Sequence, residues 1–282
     1  MQTNPAPLGI IAGGGDLPRQ ICAACRQKGR PYFLVILDGQ GDPDLLDDHP
    51  GAVIRLGAVG KIATTFKNAD VTELVLAGKV ARPSVTQMRP DSEALKFFAT
   101  VGKSAFGDDA LLKAVIGHIE TRFGFRVVSV SDVLGRQGIG AGCLGKITPD
   151  DQARADIKRG LAILKAMGPV DVGQAVVVQQ GLVLGVEAIE GTDALLTRCS
   201  GLRRDGAGGV LVKIAKPGQE ERADLPTIGV DTVENAAAAE LRGIAIEAER
   251  TIVIDQDAVT ETADRLGLFV EAIDVLSESP PS

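Results

Sequence analysis

Three carboxylates, Glu187, Glu190 and Asp193, fall within seven residues of 185-GVEAIEGTDALL-196, between an apolar run and the start of a helical pattern. Ionised acids this close repel one another unless solvent or a shared cation offsets their charge. Hard oxygen ligands of this kind suit Mg2+, which takes one or two carboxylates together with the phosphates of a substrate. Another acid, Asp224 in 222-RADLPTIG-229, ends a polar run that begins at Gln219. It is wedged between Ala223 and an apolar Leu-Pro turn, where an acid serving only as solvated surface is less expected. Lys213 and Lys216 precede this run in 213-KIAKPG-218 and supply positive charge close by in sequence.

The first half of the chain offers its own candidates. In 9-GIIAGGGDLPRQI-21 an apolar run leads into Gly13, Gly14 and Gly15, then Asp16 and a helical pattern. Gly13 and Gly15 fit the dinucleotide fingerprint G-x-G-x-x-G, but Pro18 stands at its third glycine. Asp38 ends the next apolar run, about where a ribose-binding acid would stand, which keeps NAD open as a reading. Asp16 argues against it, because an acid in the turn repels a pyrophosphate. Contact with some other phosphate or nucleotide through backbone N–H groups at a helix start remains, as does a purely structural tight turn. Lys79 and Arg82 in 78-GKVARP-83 follow an apolar run and are the right cations for a diphosphate, or else a pair of solvated surface cations. Asp108 and Asp109 in 107-GDDALL-112 either cap a helix or contribute to a metal or ligand site.

These residues need elements to position them. Apolar runs at 8–13, 32–37, 52–57, 73–78 and 126–131 read as strands. Helical patterns run from Pro18 to about Lys28, through 61–69, from Ser92 to Thr100 and over 108–123. Repeated β–α–β units of this kind argue for an α/β fold with an N-terminal Rossmann-like, doubly wound parallel sheet. The glycine-rich stretch 135–148 reads as a linker between a first domain of 1–134 and a C-terminal mixed α/β domain of 149–282. Thr148 with Asp151 resembles a capping box, with Pro149 at the first helical position. Beyond it, 175–189 reads as two strands around a turn at Gly181. A helix from Thr192, a strand at 209–215, a helix over 232–242 and final β–α–β elements to Val275 follow.

The 282 residues are 45% hydrophobic, enough to bury the cores of two domains. A net charge of −7 excludes general affinity for nucleic acid. No window approaches the apolar length of a membrane helix, and the opening MQTNPAPLG has neither a basic region nor a long apolar segment, so a soluble cytoplasmic protein is expected. Cys22 and Cys25 form an isolated C-x-x-C without a second pair, and read as two small residues on the first helix rather than a redox or zinc site. With His49 and His118 the only histidines and no G-x-S-x-G, neither His-based catalysis nor a serine triad has support.

GIIAGGGDLP, LAGKVARP, GDDALL, GQAVVVQQGLVLGVEAIEGTDALL and KPGQEERADLPTIG occur in that order from about residue 8. Together they resemble the LpxI-type UDP-2,3-diacylglucosamine pyrophosphatases of the bacterial lipid A pathway, over nearly the whole chain. The resemblance implies Mg2+-dependent cleavage of UDP-2,3-diacylglucosamine to UMP and 2,3-diacylglucosamine 1-phosphate, with two domains holding the lipid-linked substrate. It also implies that Asp224 is essential to catalysis. Glu187 and Asp193 join it as catalytic candidates, and these three with Glu190 as metal ligands. The substrate-binding set is Gly13, Gly14, Gly15, Asp16, Lys79, Arg82, Asp108, Asp109, Gln179, Thr192, Lys213, Lys216, Gln219 and Thr227. A lipid-linked substrate with no spanning helix leaves room for peripheral contact with the cytoplasmic face of the inner membrane, and the sequence permits a homo-oligomer. A non-catalytic nucleotide-sugar binding or sensor protein is the competing reading, with an NAD(P)-linked oxidoreductase behind it.

Overall fold

A computed structural model describes residues 6–81, 88–101, 108–135, 138–222 and 225–275, without the side chain of Asp108. They fall into two compact units: residues through 135 together with 220–222, and residues 138–219 with 225–275.

In the first unit, β1 (Leu8–Ala12), β2 (Tyr32–Leu37), β3 (Gly51–Ile54), β4 (Glu73–Ala77) and β5 (Arg126–Val127) form one sheet in the order β3-β2-β1-β4-β5. Every neighbouring pair is parallel. Parallel neighbours cannot be joined by tight hairpins and need crossovers. These carry α1 (Leu17–Gln27), α2 (Val59–Asn68), α3 (Ser92–Val101) and α4 (Asp108–His118). Burial on both faces explains why β1 and β2 read as unbroken apolar runs: Leu8, Ile10, Leu34, Val35 and Ile36 are fully buried. Cys22 and Cys25 face inward from α1 with Ile21. Burial raises both thiols, that of Cys22 to about 11, which suppresses thiolate chemistry.

The structure departs from the sequence reading at two helix starts. The run 126–131 is a strand only to Val127. It then gives way to α5 (Val130–Leu134), because Ser129 Oγ accepts from Asp132 N at 3.0 Å and the Asp132 carboxylate accepts from Ser129 N at 3.3 Å. The helix expected to begin at Pro149 begins at Asp151 (α6, Asp151–Met167), with Asp150 as its cap, accepting from Ala153 N at 2.9 Å. The Asp150 carboxylate takes the capping role expected of Thr148.

The second unit contains β6 (Gly142–Cys143), β7 (Ala175–Gln179), β8 (Leu182–Val186), α7 (Gly191–Ser200), β9 (Val210–Lys213), β10 (Thr227–Ile228), α8 (Val230–Ala238), β11 (Gly243–Glu247), β12 (Ile252–Val253), α9 (Gln256–Leu266) and β13 (Phe269–Ile273). Its main sheet runs β6-β13-β11-β9-β7-β8 and is mixed: β13, β11 and β9 are parallel, whereas β6, β7 and β8 pair antiparallel. One face packs on α6 through Ile157, Leu161 and Leu164, and the other on α7, α8 and α9 through Leu195, Leu196, Val233 and Val259. Residues 142–143, inside the stretch expected to be a linker, pair with β13.

The β7–β8 hairpin turns on Gln180 and Gly181, at φ 54° and 78°. Two consecutive left-handed residues match the turn to the right-handed twist of the strands. Asp156, 1% exposed on α6, holds this turn by accepting from Gln180 N at 3.0 Å and Gly181 N at 2.7 Å.

Candidate functional site

The order of the first sheet reverses at β1, so the carboxyl ends of β1 and β4 flank the position where open α/β sheets bind ligands. Here the loops beyond those strands clasp each other. Gly13 N donates to Ala77 O, Gly14 N to Lys79 O and Lys79 N to Gly14 O, each at 2.8 Å. A Cβ on Gly13 would stand 2.5 Å from Lys79 O, and one on Gly78 2.5 Å from Gly14 O. Glycine is therefore demanded by the approach of one backbone to another, and two of the three N–H groups of the glycine turn are already committed. Gly15 and Asp16 lie exposed beyond the clasp, with Asp16 accepting from Gln20 Nε2 at 3.3 Å. Lys79 is exposed, and Arg82 lies outside the described residues.

At the start of α4, Asp109 accepts from Glu220 N at 2.8 Å and pairs with Lys113 at 2.6 Å. Arg222 bridges Glu220 at 2.8 Å and Glu120 at 2.8 Å. Hydrogen bonding from Arg222 holds the Glu220 carboxyl below its ordinary range. Glu120 sits in a π-helical turn, Ile119–Phe123, that widens the end of α4. The segment leading to Asp224 is thus seated on the first unit. Asp224 itself lies outside the described residues.

The second unit gathers the other candidates at one edge of its sheet, beside the end of β9. Glu187 and Lys213 are 6% and 7% exposed. The Thr192 hydroxyl donates to Glu187 Oε1 at 2.7 Å and accepts from Lys213 Nζ at 3.1 Å, linking a buried anion to a buried cation. Lys213 also donates to Thr227 O at 2.9 Å. Glu187 Oε2 accepts from Gln174 N at 2.9 Å, and the Gln174 side chain accepts from Gln219 Nε2 at 3.3 Å. Gln219 in turn accepts from Lys216 N at 2.8 Å, while Lys216 Nζ pairs with Asp171. One continuous network therefore joins Glu187, Thr192, Lys213, Thr227, Gln219 and Lys216.

Two of its members, Gln174 and Asp171, were not singled out in the sequence. Neither was Glu247, which ends β11 at the same edge and accepts from Ala215 N at 2.8 Å. Apolar flanks hide the role of Gln174, and only the position of Glu247 at the end of an apolar strand could have marked it.

Other candidates point elsewhere. Gln179 is fully buried, and its amide clamps the 204–207 loop through Arg204 N, Arg204 O and Ala207 O at 2.8–2.9 Å. Glu190 pairs with Arg198 at 2.9 Å, and its carboxyl is held low by its own backbone N–H and then by Arg198. Asp193 accepts from Asn235 at 3.2 Å. The three acids of the cluster are thus drawn to different partners. Among the described residues no three His, Cys, Asp or Glu side chains come together to hold a metal. The donors fit Mg2+ only in the form that keeps most of its ligands as water and substrate phosphates and takes one or two carboxylates from the protein.

Residues 7–137 match the family model described as LpxI N-terminal domain, and residues 140–271 the one described as LpxI C-terminal domain. The chain is 42% identical over 274 residues to the UDP-2,3-diacylglucosamine pyrophosphatase LpxI of Caulobacter vibrioides, covering 95% of this chain and 97% of that one.

Proposed function

The chain belongs to the LpxI family, and from that premise we propose that it hydrolyses the pyrophosphate bond of UDP-2,3-diacylglucosamine. Water adds across the P–O–P bridge: one phosphorus gains its hydroxyl and the other fragment departs as a phosphate. The products are UMP and 2,3-diacylglucosamine 1-phosphate. The observation that carries this reading is the 42% identity over nearly the full length of both chains. The order β3-β2-β1-β4-β5 supports reading the first unit as Rossmann-like and doubly wound.

The chain's own residues have definite tasks in this reading. Lys213, fixed by Thr192 and the Thr227 carbonyl, offers a pre-positioned positive charge to phosphate oxygens whose charge grows as the bridge breaks. Glu187 keeps Thr192 oriented toward Lys213. Lys79 and Arg82 are the cations proposed for phosphate contact in the first unit. Asp224 orients the attacking water or binds metal. One or two of the acids Asp224, Glu187, Glu190 and Asp193 would hold Mg2+, which when bound would neutralise phosphate charge and lower the pKa of a water.

Among the described residues no helix is long and apolar enough to cross a membrane. Contact with a bilayer surface is supported by Ile189, 98% exposed.

The test is to incubate pure protein with UDP-2,3-diacylglucosamine, with Mg2+ or with EDTA, and to assay UMP. UMP formed with Mg2+ and abolished by EDTA is expected. Binding of the substrate without any UMP would make the protein a nucleotide-sugar sensor instead.

A further inference from the structure

We propose that the first unit reads the nucleotide end of its ligand in a cavity over the carboxyl ends of β2 and β3, with Asp38 taking the ribose hydroxyls. The clasp between the 13–14 and 78–79 loops fills the switch point with backbone. The open space lies to one side. An open cavity of about 440 Å3 is lined by Asp38, Val53, Ile54, Arg55, Ala58, Lys61 and Asp91, a size suited to a small ligand.

Its lining is unusual for a solvated rim. Asp38 directly follows β2, Arg55 directly follows β3, and Lys61 lies in the first turn of α2. Opposite charges sharing one concavity commonly pair, yet Asp38, Arg55 and Lys61 make no ion pair and no side-chain hydrogen bond among the described residues. Asp91 is excluded as a ligand group. It caps α3 through Glu93 N and Ala94 N at 3.1 and 2.9 Å, and holds Gly60 N at 2.8 Å. What remains is one carboxylate, two cations and an apolar wall in which Val53 is 39% exposed.

A ligand satisfying all three carries hydroxyl donors, a phosphate and a flat, partly apolar ring, which describes a nucleotide. An ionised carboxylate only accepts, so it matches the two O–H donors of a ribose diol. Arg55 and Lys61 match the phosphate. This assignment rests on the proposed hydrolase reading for its choice of uridine.

The test is calorimetric titration of the whole protein with UMP and with 2′-deoxy-UMP. The three charged side chains are exposed, so their variants should fold, which the thermal midpoint checks. Asp38→Ala is expected to weaken UMP at least tenfold, and to bind UMP and 2′-deoxy-UMP alike, whereas the native protein prefers UMP. Arg55→Ala and Lys61→Ala should weaken both nucleotides equally. UMP binding by Asp38→Ala within twofold of the native protein overturns the proposal, as does failure of the native protein to bind UMP. Hydrolysis of UDP-2,3-diacylglucosamine by the same samples separates the two readings. Turnover with Asp38-independent UMP binding removes the cavity and leaves the hydrolase. Asp38-dependent UMP binding without turnover does the reverse.

Discussion

Asp109, at the start of α4, accepts a hydrogen bond at 2.8 Å from the backbone N–H of Glu220, 111 residues further along the chain. Arg222, bridging Glu220 and Glu120, fixes the same short segment, and Asp224 is two residues beyond. Asp109→Ala removes the acceptor and should lower turnover about tenfold, the effect of one charge-assisted hydrogen bond of roughly 1.5 kcal/mol. KM should stay within about twofold. Asp109→Asn keeps an acceptor oxygen and should recover most of the rate. Asp224→Ala should abolish turnover by orders of magnitude while the thermal midpoint is retained, and steady-state kinetics on all three variants checks the set.

Asp156 supports a turn rather than a reaction. Asp156→Ala would strand the N–H groups of Gln180 and Gly181, at a cost of roughly 2–4 kcal/mol. Urea unfolding should show the midpoint lowered with its slope unchanged.

His118 sets a pH window for stability. Its ring lies 5.1 Å from that of Phe97 and 5.4 Å from that of Phe123, with Nε2 buried and without a hydrogen-bond partner among the described residues. Burial lowers its pKa, with Glu93 opposing and Arg122 assisting. The unfolded chain then takes up a proton near pH 6.5 before the folded one does, so stability is lost as pH falls below about 6.5 toward the folded value. Glu93, held at about 2 by Arg122 and Lys96, loses its contribution only as pH falls through the carboxylate range, which leaves this window clear. Thermal midpoints from pH 7 to 5.5 should fall less for His118→Phe than for the native protein. His49, shifted the same way, is present in both and cancels.

Ile189 projects almost fully into solvent between Glu187 and Glu190. Ile189→Ser should reduce co-sedimentation with phospholipid vesicles severalfold without changing the thermal midpoint. Equal sedimentation of both proteins would remove this residue from the membrane-facing surface.

Strands buried on both faces are legible because they demand unbroken apolar runs, as 32-YFLVIL-37 does. The Glu187–Thr192 contact was within reach too, since a strand end and a helix start five residues apart must stay close. Asp109 was visible as a candidate but its partner was not, because sequence carries little trace of a contact made across 111 residues. The glycine turn stayed ambiguous for a deeper reason. A phosphate and a neighbouring backbone both require the missing Cβ, so Gly13 and Gly14 look the same in either role. Gln179 misled similarly: a buried amide clamping a loop and one awaiting a ligand have the same sequence context.

The seating of 220–222 on the first unit also orders events during synthesis. Every strand of the first sheet has been synthesised once Val127 is made, and amino-terminal units generally fold first as the chain grows. Asp109 and Glu120 must then wait for Glu220 and Arg222, made only after β7, β8 and β9 of the second sheet. A nascent chain halted between the two units can hold a finished sheet yet lacks the piece that leads to Asp224. On the proposed reading, chemistry is withheld until the ribosome has passed Asp224.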